Sequence, residues 1–445
     1  MVLLCVSNFG EYEEMTTSLE ARQRYFRDLL QKEPKSKKVL FYKEERREFP
    51  IYDIDMEFLL FNQHNGRLET EMLTWQAETG LEAQEYDDEV HNKIRGFLWD
   101  VNPKRNKETQ ADLAEKGQLE PGITTMDGVI IDGNRRAMLL QRMNKSYLTA
   151  VVLPDAYDEN EKEIVKLETQ YQLGEDPKLG YGPIEKYLHA KRLGRLRISE
   201  PEKLMSLNRT EFQKLLGIME LMDEYLTYIR CAGLYNLLKD GKGTKEGMFV
   251  DLYADIKKFE NGNSMVQWDF DTELDVNDLL TIQFDHIRYG GSELVGTGKE
   301  YRRISHSSSE KKNCFFAHEN IWSDFAENHR ENVNSIAENL PSLDEFHVTH
   351  RDDYATRIDA AKALTAQWRE AVGPKLQRNF GISNDRLSDK SGEIEPNRLL
   401  KRAISALESI DIDAPEFLAN IENESLVDQI NRRSYEMRKI FKKSV

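Results

Sequence analysis

Gly128-Val-Ile-Ile-Asp132-Gly133-Asn134-Arg135-Arg136-Ala-Met-Leu-Leu140 is the stretch whose reading decides the fold: an apolar strand runs into a glycine turn, and the turn opens a helix with two arginines in its first turn. Amides that open a helix lack partners inside it and sit at the positive end of its dipole, so a phosphate is favoured there, and a guanidinium can clamp it through two parallel hydrogen bonds. Gly133 has no Cβ to obstruct that approach. The same residues also allow an ordinary strand, turn and helix in which Asp132 caps the helix and both arginines face water.

The flanks extend the pattern. Upstream lie Glu115-Lys-Gly-Gln-Leu-Glu-Pro-Gly-Ile-Thr-Thr125 and, earlier, Ile51-Tyr-Asp-Ile-Asp-Met-Glu-Phe-Leu-Leu-Phe-Asn62-Gln-His-Asn-Gly-Arg67; downstream lie Leu167-Glu-Thr-Gln-Tyr-Gln172 and Tyr181-Gly-Pro-Ile-Glu-Lys-Tyr187. Taken in this order they resemble the ParB/sulfiredoxin superfamily. Gly133-Asn-Arg-Arg136 is similar to its Gly-x-x-Arg turn, the segment ending at Arg67 to its first box, and the Glu168 segment to its Glu-Asn-x-Gln-Arg box. A rival first box, Asn102-Pro-Lys-Arg105, sits too close to the turn. The chain departs from the pattern at Thr169, Tyr171 and Gln172, and Asn134 stands where the sulfiredoxin branch has its cysteine, which removes thiol chemistry.

The resemblance spans roughly residues 45 to 230. It implies a small α/β unit that binds a nucleoside triphosphate, CTP or ATP, with Mg2+. Arg67, Gly133, Asn134, Arg135 and Arg136 would then meet the nucleotide. Glu168 would serve as metal ligand, and Asp132 and Glu168 would be the catalytic carboxylates if the family's nuclease or nucleotide-hydrolase activity is present. Relatives in DNA modification and phage defence make such a role an expectation too. Fold likeness alone does not fix chemistry.

Bulk properties bound these readings. The chain has 445 residues, enough for two to four domains. Its net charge of -17 disfavours indiscriminate nucleic-acid binding, so any DNA contact must be local. Cys5, Cys231 and Cys314 are far apart and show no paired metal spacing, which fits a reducing cytoplasm. The apolar opening Met-Val-Leu-Leu-Cys-Val is too short to span a bilayer, and no membrane partner is expected.

The expected class is α+β: an N-terminal helical arm (1–38), an α/β domain (39–160), a helix-turn-helix-like region (161–240) and a helical C-terminal region (248–445). Residues 11–33 read as a helix, 39–61 as two strand-like runs, 68–98 as helix, 129–131 and 147–153 as strands. A helix over 186–197 forms a basic island, with Lys191, Arg192, Arg195 and Arg197 as candidate DNA contacts. Ser199 to Leu207, a break, and a helix over 211–221 capped by Thr210 have the form of a helix-turn-helix, with Arg209, Gln213 and Lys214 as candidate base readers.

The linker 240–247 is flexible by composition. Gly290 to Lys299 fails as a phosphate loop, because Glu293 stands where the first glycine should be and Glu300 follows the lysine. His347 and His350, with Asp352 and Asp353, have a spacing that a metal could use, but no second ligand pair accompanies them. The last helix, Asn431 to Lys443, is basic with an apolar side at Tyr435, Met437, Ile440 and Phe441; packing on its own domain is its first reading, a partner subunit or DNA backbone the alternative, and the helical C-terminal region as a whole is expected to meet a protein partner or a second copy. Nucleotide control of DNA or partner engagement is the leading functional expectation; an interaction scaffold whose pocket has decayed is a third.

Overall fold

The computed structural model describes all residues except 1–16, 81–87, 175–181, 240–243, 262–265, 267, 272, 291–299, 307–313, 338, 392–395 and 444–445. It is a mixed α/β protein with one six-stranded sheet near the N-terminus and a mostly helical remainder.

In chain order the elements begin with α1 (Leu19–Leu29), β1 (Ser36–Tyr42), β2 (Glu45–Asp55), β3 (Leu60–Phe61), α2 (Glu69–Thr79), α3 (Asp88–Asp100) and α4 (Pro103–Lys116). The sheet is completed by β4 (Gly122–Thr124), β5 (Val129–Asp132) and β6 (Tyr147–Val152), with α5 (Asn134–Arg142) between the last two. Spatial order is β1-β2-β6-β4-β5-β3, with β4 parallel to β6 and β3 parallel to β5. The two expected strand-like runs are the β1–β2 hairpin, whose turn at Lys43 and Glu44 takes positive φ (52° and 63°) at both central residues, as the twist of a tight hairpin requires.

Side chains alternate across the sheet and divide the core in two. Tyr52, Ile54, Ile130, Leu148 and Ala150 pack under α1, α3 and α5, where Phe26, Ile94 and Leu139 are fully buried. Leu40, Ile51, Ile123, Val129, Ile131 and Val151 pack on the opposite side with Tyr157, Ile164 and Leu167. The expected N-terminal arm is therefore part of the sheet's own core: Phe26 is enclosed, and the buried Arg22 donates to the Asp127 carbonyl at 2.8 Å. That contact fixes the β4–β5 turn, where Gly128 holds φ 89° and a Cβ would run into the Phe58 carbonyl oxygen. Gly128→Ala is expected to cost roughly 2–3 kcal/mol, read as a drop in the thermal midpoint, whereas alanine at the helical Gly96, which nothing crowds, is neutral or mildly stabilising.

The helical remainder comprises α6 (Glu161–Gly174), α7 (Pro183–Arg195), α8 (Pro201–Leu204), α9 (Arg209–Tyr228), α10 (Thr244–Glu260), α11 (Leu274–Tyr289), α12 (Arg302–Ser305), α13 (Glu319–Ala337), α14 (Leu343–Thr349), α15 (Arg357–Ser391), α16 (Pro396–Glu408), α17 (Pro415–Ala419) and α18 (Ile421–Lys443). The chain forms two compact units, 1–380 and 381–445, so the expected boundaries at 38, 160 and 240 fall inside the first. Helix α10 starts at Thr244, within the expected linker; the rest of that linker from 240, and 291–299 of the rejected phosphate loop, lie outside the described residues. Among the described residues no helix is long and apolar enough to cross a membrane. Cys231 and Cys314 are buried thiols whose pKa values burial pushes up, to about 11 and about 12.

Candidate nucleotide site

At the end of β5, Gly133 adopts φ 99° and hands the chain to α5. Asn134 is buried, and its side chain bonds at both ends: Nδ2 donates to the Ile130 carbonyl at 2.7 Å, and Oδ1 accepts the Asn62 amide at 2.9 Å. A residue expected to meet a ligand is thus the pin that ties the glycine turn to the loop after β3.

The arginines point elsewhere. Arg135 donates to the Arg105 carbonyl at 2.9 Å and to the Thr109 hydroxyl, both on α4. Arg136 folds back onto Asp132 at 2.6 Å and onto the Glu120 carbonyl. Asp132 does not cap α5, since the cap position is Gly133 and the carboxylate is taken by Arg136. Asp132 pairs in register with Ile123, beside an irregularity between β4 and β5, and Glu168 comes from α6, next to Leu167 of the core on the Ile123 side. The two expected catalytic carboxylates have different partners: Asp132 meets Arg136, and Glu168 meets the Gly66 amide and Arg192.

What gathers around Glu168 is the loop 62–68. Its asparagines fold onto their own amides: Asn62 Oδ1 accepts from His64 N (2.9 Å) and Asn65 Oδ1 from Arg67 N (3.0 Å), turns that side chains of this type readily form. The Gly66 amide donates to Glu168 Oε1 at 3.2 Å. Arg192, from α7, donates to the His64 carbonyl (2.7 Å) and the Tyr157 hydroxyl (2.6 Å), and lies 3.7 Å from Glu168 and 3.5 Å from Glu161. The His64 ring stacks on Tyr157 with centroids 5.6 Å apart. Arg67, Asn134 and Glu168 are hence brought to one region, while Arg135 bonds to α4 and Arg136 to Asp132 and the Glu120 carbonyl.

This region is polar beyond what its own bonds satisfy. Asn62 Nδ2, Arg67 Nε and Glu69 Oε2 are enclosed and have no hydrogen-bond partner among the described residues. Buried polar atoms are nearly always paired, and each orphan costs about 1–3 kcal/mol. Burial also pushes the Glu69 carboxyl up to about 7, with Arg192 pulling the other way. Burial, then the charge of Arg192, lowers His64 and His189 to about 3, so both imidazoles are neutral; His189 Nε2 pairs with the Thr169 hydroxyl at 2.8 Å.

Arg192 is the correction among the expected DNA contacts: it is 5% exposed and belongs to this network rather than to a basic face. Lys191 is exposed but pairs with Asp223 at 2.5 Å. Arg195, Arg197, Arg209, Gln213 and Lys214 are exposed, the last three on the first turns of α9. The expected second helix is longer than 211–221, and its cap is Asn208 in a reciprocal pair with Glu211, not Thr210.

Among the described residues no group of three or more His, Cys, Asp or Glu is arranged to hold a metal. His350 instead stacks on Phe346 and bonds its carbonyl. For Mg2+ the chain offers Glu168, one of whose oxygens already accepts from Gly66; that fits the habit of Mg2+ to use one or two carboxylates together with phosphates, not a protein-only cage.

No family model matches the sequence, and no curated protein matches it. Among solved structures, a Pnob8-like ParB-N domain is similar at 11% identity, over 54% of this chain and 92% of that chain, with a TM-score of 0.30. A likeness that weak decides neither fold nor function.

Proposed function

We propose that the loop 62–69, closed by Asn134 and Glu168, binds a nucleoside triphosphate, CTP or ATP with Mg2+, and that its occupancy controls DNA or partner engagement by the helical part of the chain. The observation that carries this is the trio of enclosed polar atoms without a hydrogen-bond partner among the described residues, two of them donors, on the loop that Asn62 ties to Asn134 and on the first residue of α2. Arg67 and the amides around Gly133 then meet phosphate oxygens. Arg135 and Arg136 exchange their present partners for phosphate, and Glu168 holds the ion that arrives with it. Motifs that resemble the ParB/sulfiredoxin boxes lie at these same positions.

The exposed Arg195, Arg197, Arg209, Gln213 and Lys214 are the residues for DNA in this reading, a local cationic patch on an acidic chain. A ligand that prefers one arrangement of the loop shifts the populations of states by its differential affinity. The test is fluorescence anisotropy of a labelled duplex at low salt with and without each triphosphate. Expected is DNA binding that changes at least about fivefold on nucleotide addition and that Arg209→Ala/Lys214→Ala weakens. Identical binding with and without every triphosphate contradicts the coupling.

A further inference from the structure

We infer that α18 is a self-association helix that pairs antiparallel with α18 of a second copy of this chain. Along it, Val427, Ile430, Ser434 and Met437 fall at alternating spacings of three and four, the seam of a coiled coil, and the three apolar members stand 39–49% exposed, with Leu426 widening the stripe at 46%. Water is left on a surface whose pattern serves burial against another helix.

The charges name the occupant. Residues 421–430 carry Glu422, Glu424 and Asp428 and no cation; residues 431–443 carry Arg432, Arg433, Arg438, Lys439, Lys442 and Lys443 against the single acid Glu436. A helix dipole favours acids first and bases last, but only within the terminal turns, and Asp428, Arg432 and Arg433 lie beyond them. A twofold axis requires a surface complementary to itself when reversed, and an acidic half joined to a basic half meets that condition.

The seam fixes orientation as well. With Val427 opposite Met437 and Ile430 opposite Ser434, the flanking Glu424 of one copy faces Arg438 of the other, twice by symmetry. A parallel pair would instead set Arg433 beside Arg438 of its partner, like charges that repel. The one like-charge pair of the antiparallel form, Arg433 on Arg433 at the axis, is softened because each Arg433 already meets Glu436 of its own helix at 3.1 Å.

Sedimentation of the full chain at low salt tests this. Expected is a concentration-dependent species of twice the chain mass. Glu424→Arg, or Arg438→Glu, weakens it about tenfold by replacing two attractions with two repulsions, and the double variant Glu424→Arg/Arg438→Glu restores it. A mixture of the two single variants forms a heterodimer. Ile430→Asp, which buries a charge in the seam, gives monomer. A monomeric wild type at tens of micromolar, or a dimer that none of these changes shifts, overturns the inference; a dimer that the double variant fails to restore overturns its antiparallel form.

Discussion

Arg192→Met is expected to lower the stability of the first unit by roughly 3–5 kcal/mol, the usual result of removing one partner of a buried ion pair. The guanidinium supports three elements at once: the His64 carbonyl on the loop, the Tyr157 hydroxyl after β6, and the carboxylates of Glu161 and Glu168 on α6. Without it the wholly enclosed Glu168 loses the guanidinium 3.7 Å away. Arg192→Lys should recover only part of the loss, because an ammonium cannot reproduce a planar fork that reaches a carbonyl and a hydroxyl together. Arg195→Met, on the exposed end of the same helix, should stay within about 0.5 kcal/mol. Thermal and urea unfolding of the three variants measures this, and equal effects of Arg192→Met and Arg195→Met would refute the network.

The second large effect is on pH dependence. Glu69 has its carboxyl raised from 4.5 to about 7, chiefly by burial. For a group raised in the folded state, the stabilisation is complete below the unfolded value and is lost as pH climbs through the folded one. Between pH 4.5 and 7 the loss amounts to roughly 3 kcal/mol, from about 1.36 kcal/mol per unit. Glu69→Gln removes that titration: relative to wild type the variant should gain stability steadily from pH 5 to 8, and the difference between the two curves should flatten above. Parallel curves for the two proteins across that range would show that Glu69 is ionised throughout or solvated. Ligand binding at neutral pH should also take up protons in wild type and fewer in Glu69→Gln, because a phosphate beside Glu69 raises the cost of its charge.

Much of the fold was legible because local signals and burial agree. The apolar run at 129–131, the glycine that takes φ 99° and the apolar stripe of α5 all name one strand-turn-helix, and the β1–β2 hairpin follows from two apolar runs around a charged turn. A helix at α9 was readable from its composition, but its cap was misplaced by two residues, at Thr210 instead of Asn208. The site was less legible. Arg135 and Arg136 read as phosphate ligands because their partners, the Arg105 and Glu120 carbonyls, are backbone atoms 30 and 16 residues away that no side-chain pattern announces. Arg192 read as surface because basic neighbours surround it in sequence. Its helical spacing held the contrary signal: Glu185, Leu188, His189 and Arg192 share one face of α7, and all four are buried. Asp132 and Glu168 were paired by motif order alone, which carries no information on the partners that each acquires in the fold.

Helix α1 gives the same lesson. Leu19, Tyr25, Phe26 and Leu29 mark a helix, but only the Arg22 contact to the Asp127 carbonyl, across 105 residues, shows that it belongs to the sheet's core.

Calorimetric titration of CTP, ATP, GTP and UTP, each with Mg2+, into wild type and Arg67→Ala at neutral pH bears on the central proposal most directly. The account predicts saturable binding of at least one triphosphate with a stoichiometry near one per chain, weakened about tenfold or more in Arg67→Ala through loss of a charge-assisted contact, and with Arg67→Ala folded as judged by its unfolding midpoint. No heat from any triphosphate at millimolar concentration, or binding that Arg67→Ala leaves unchanged, would contradict it.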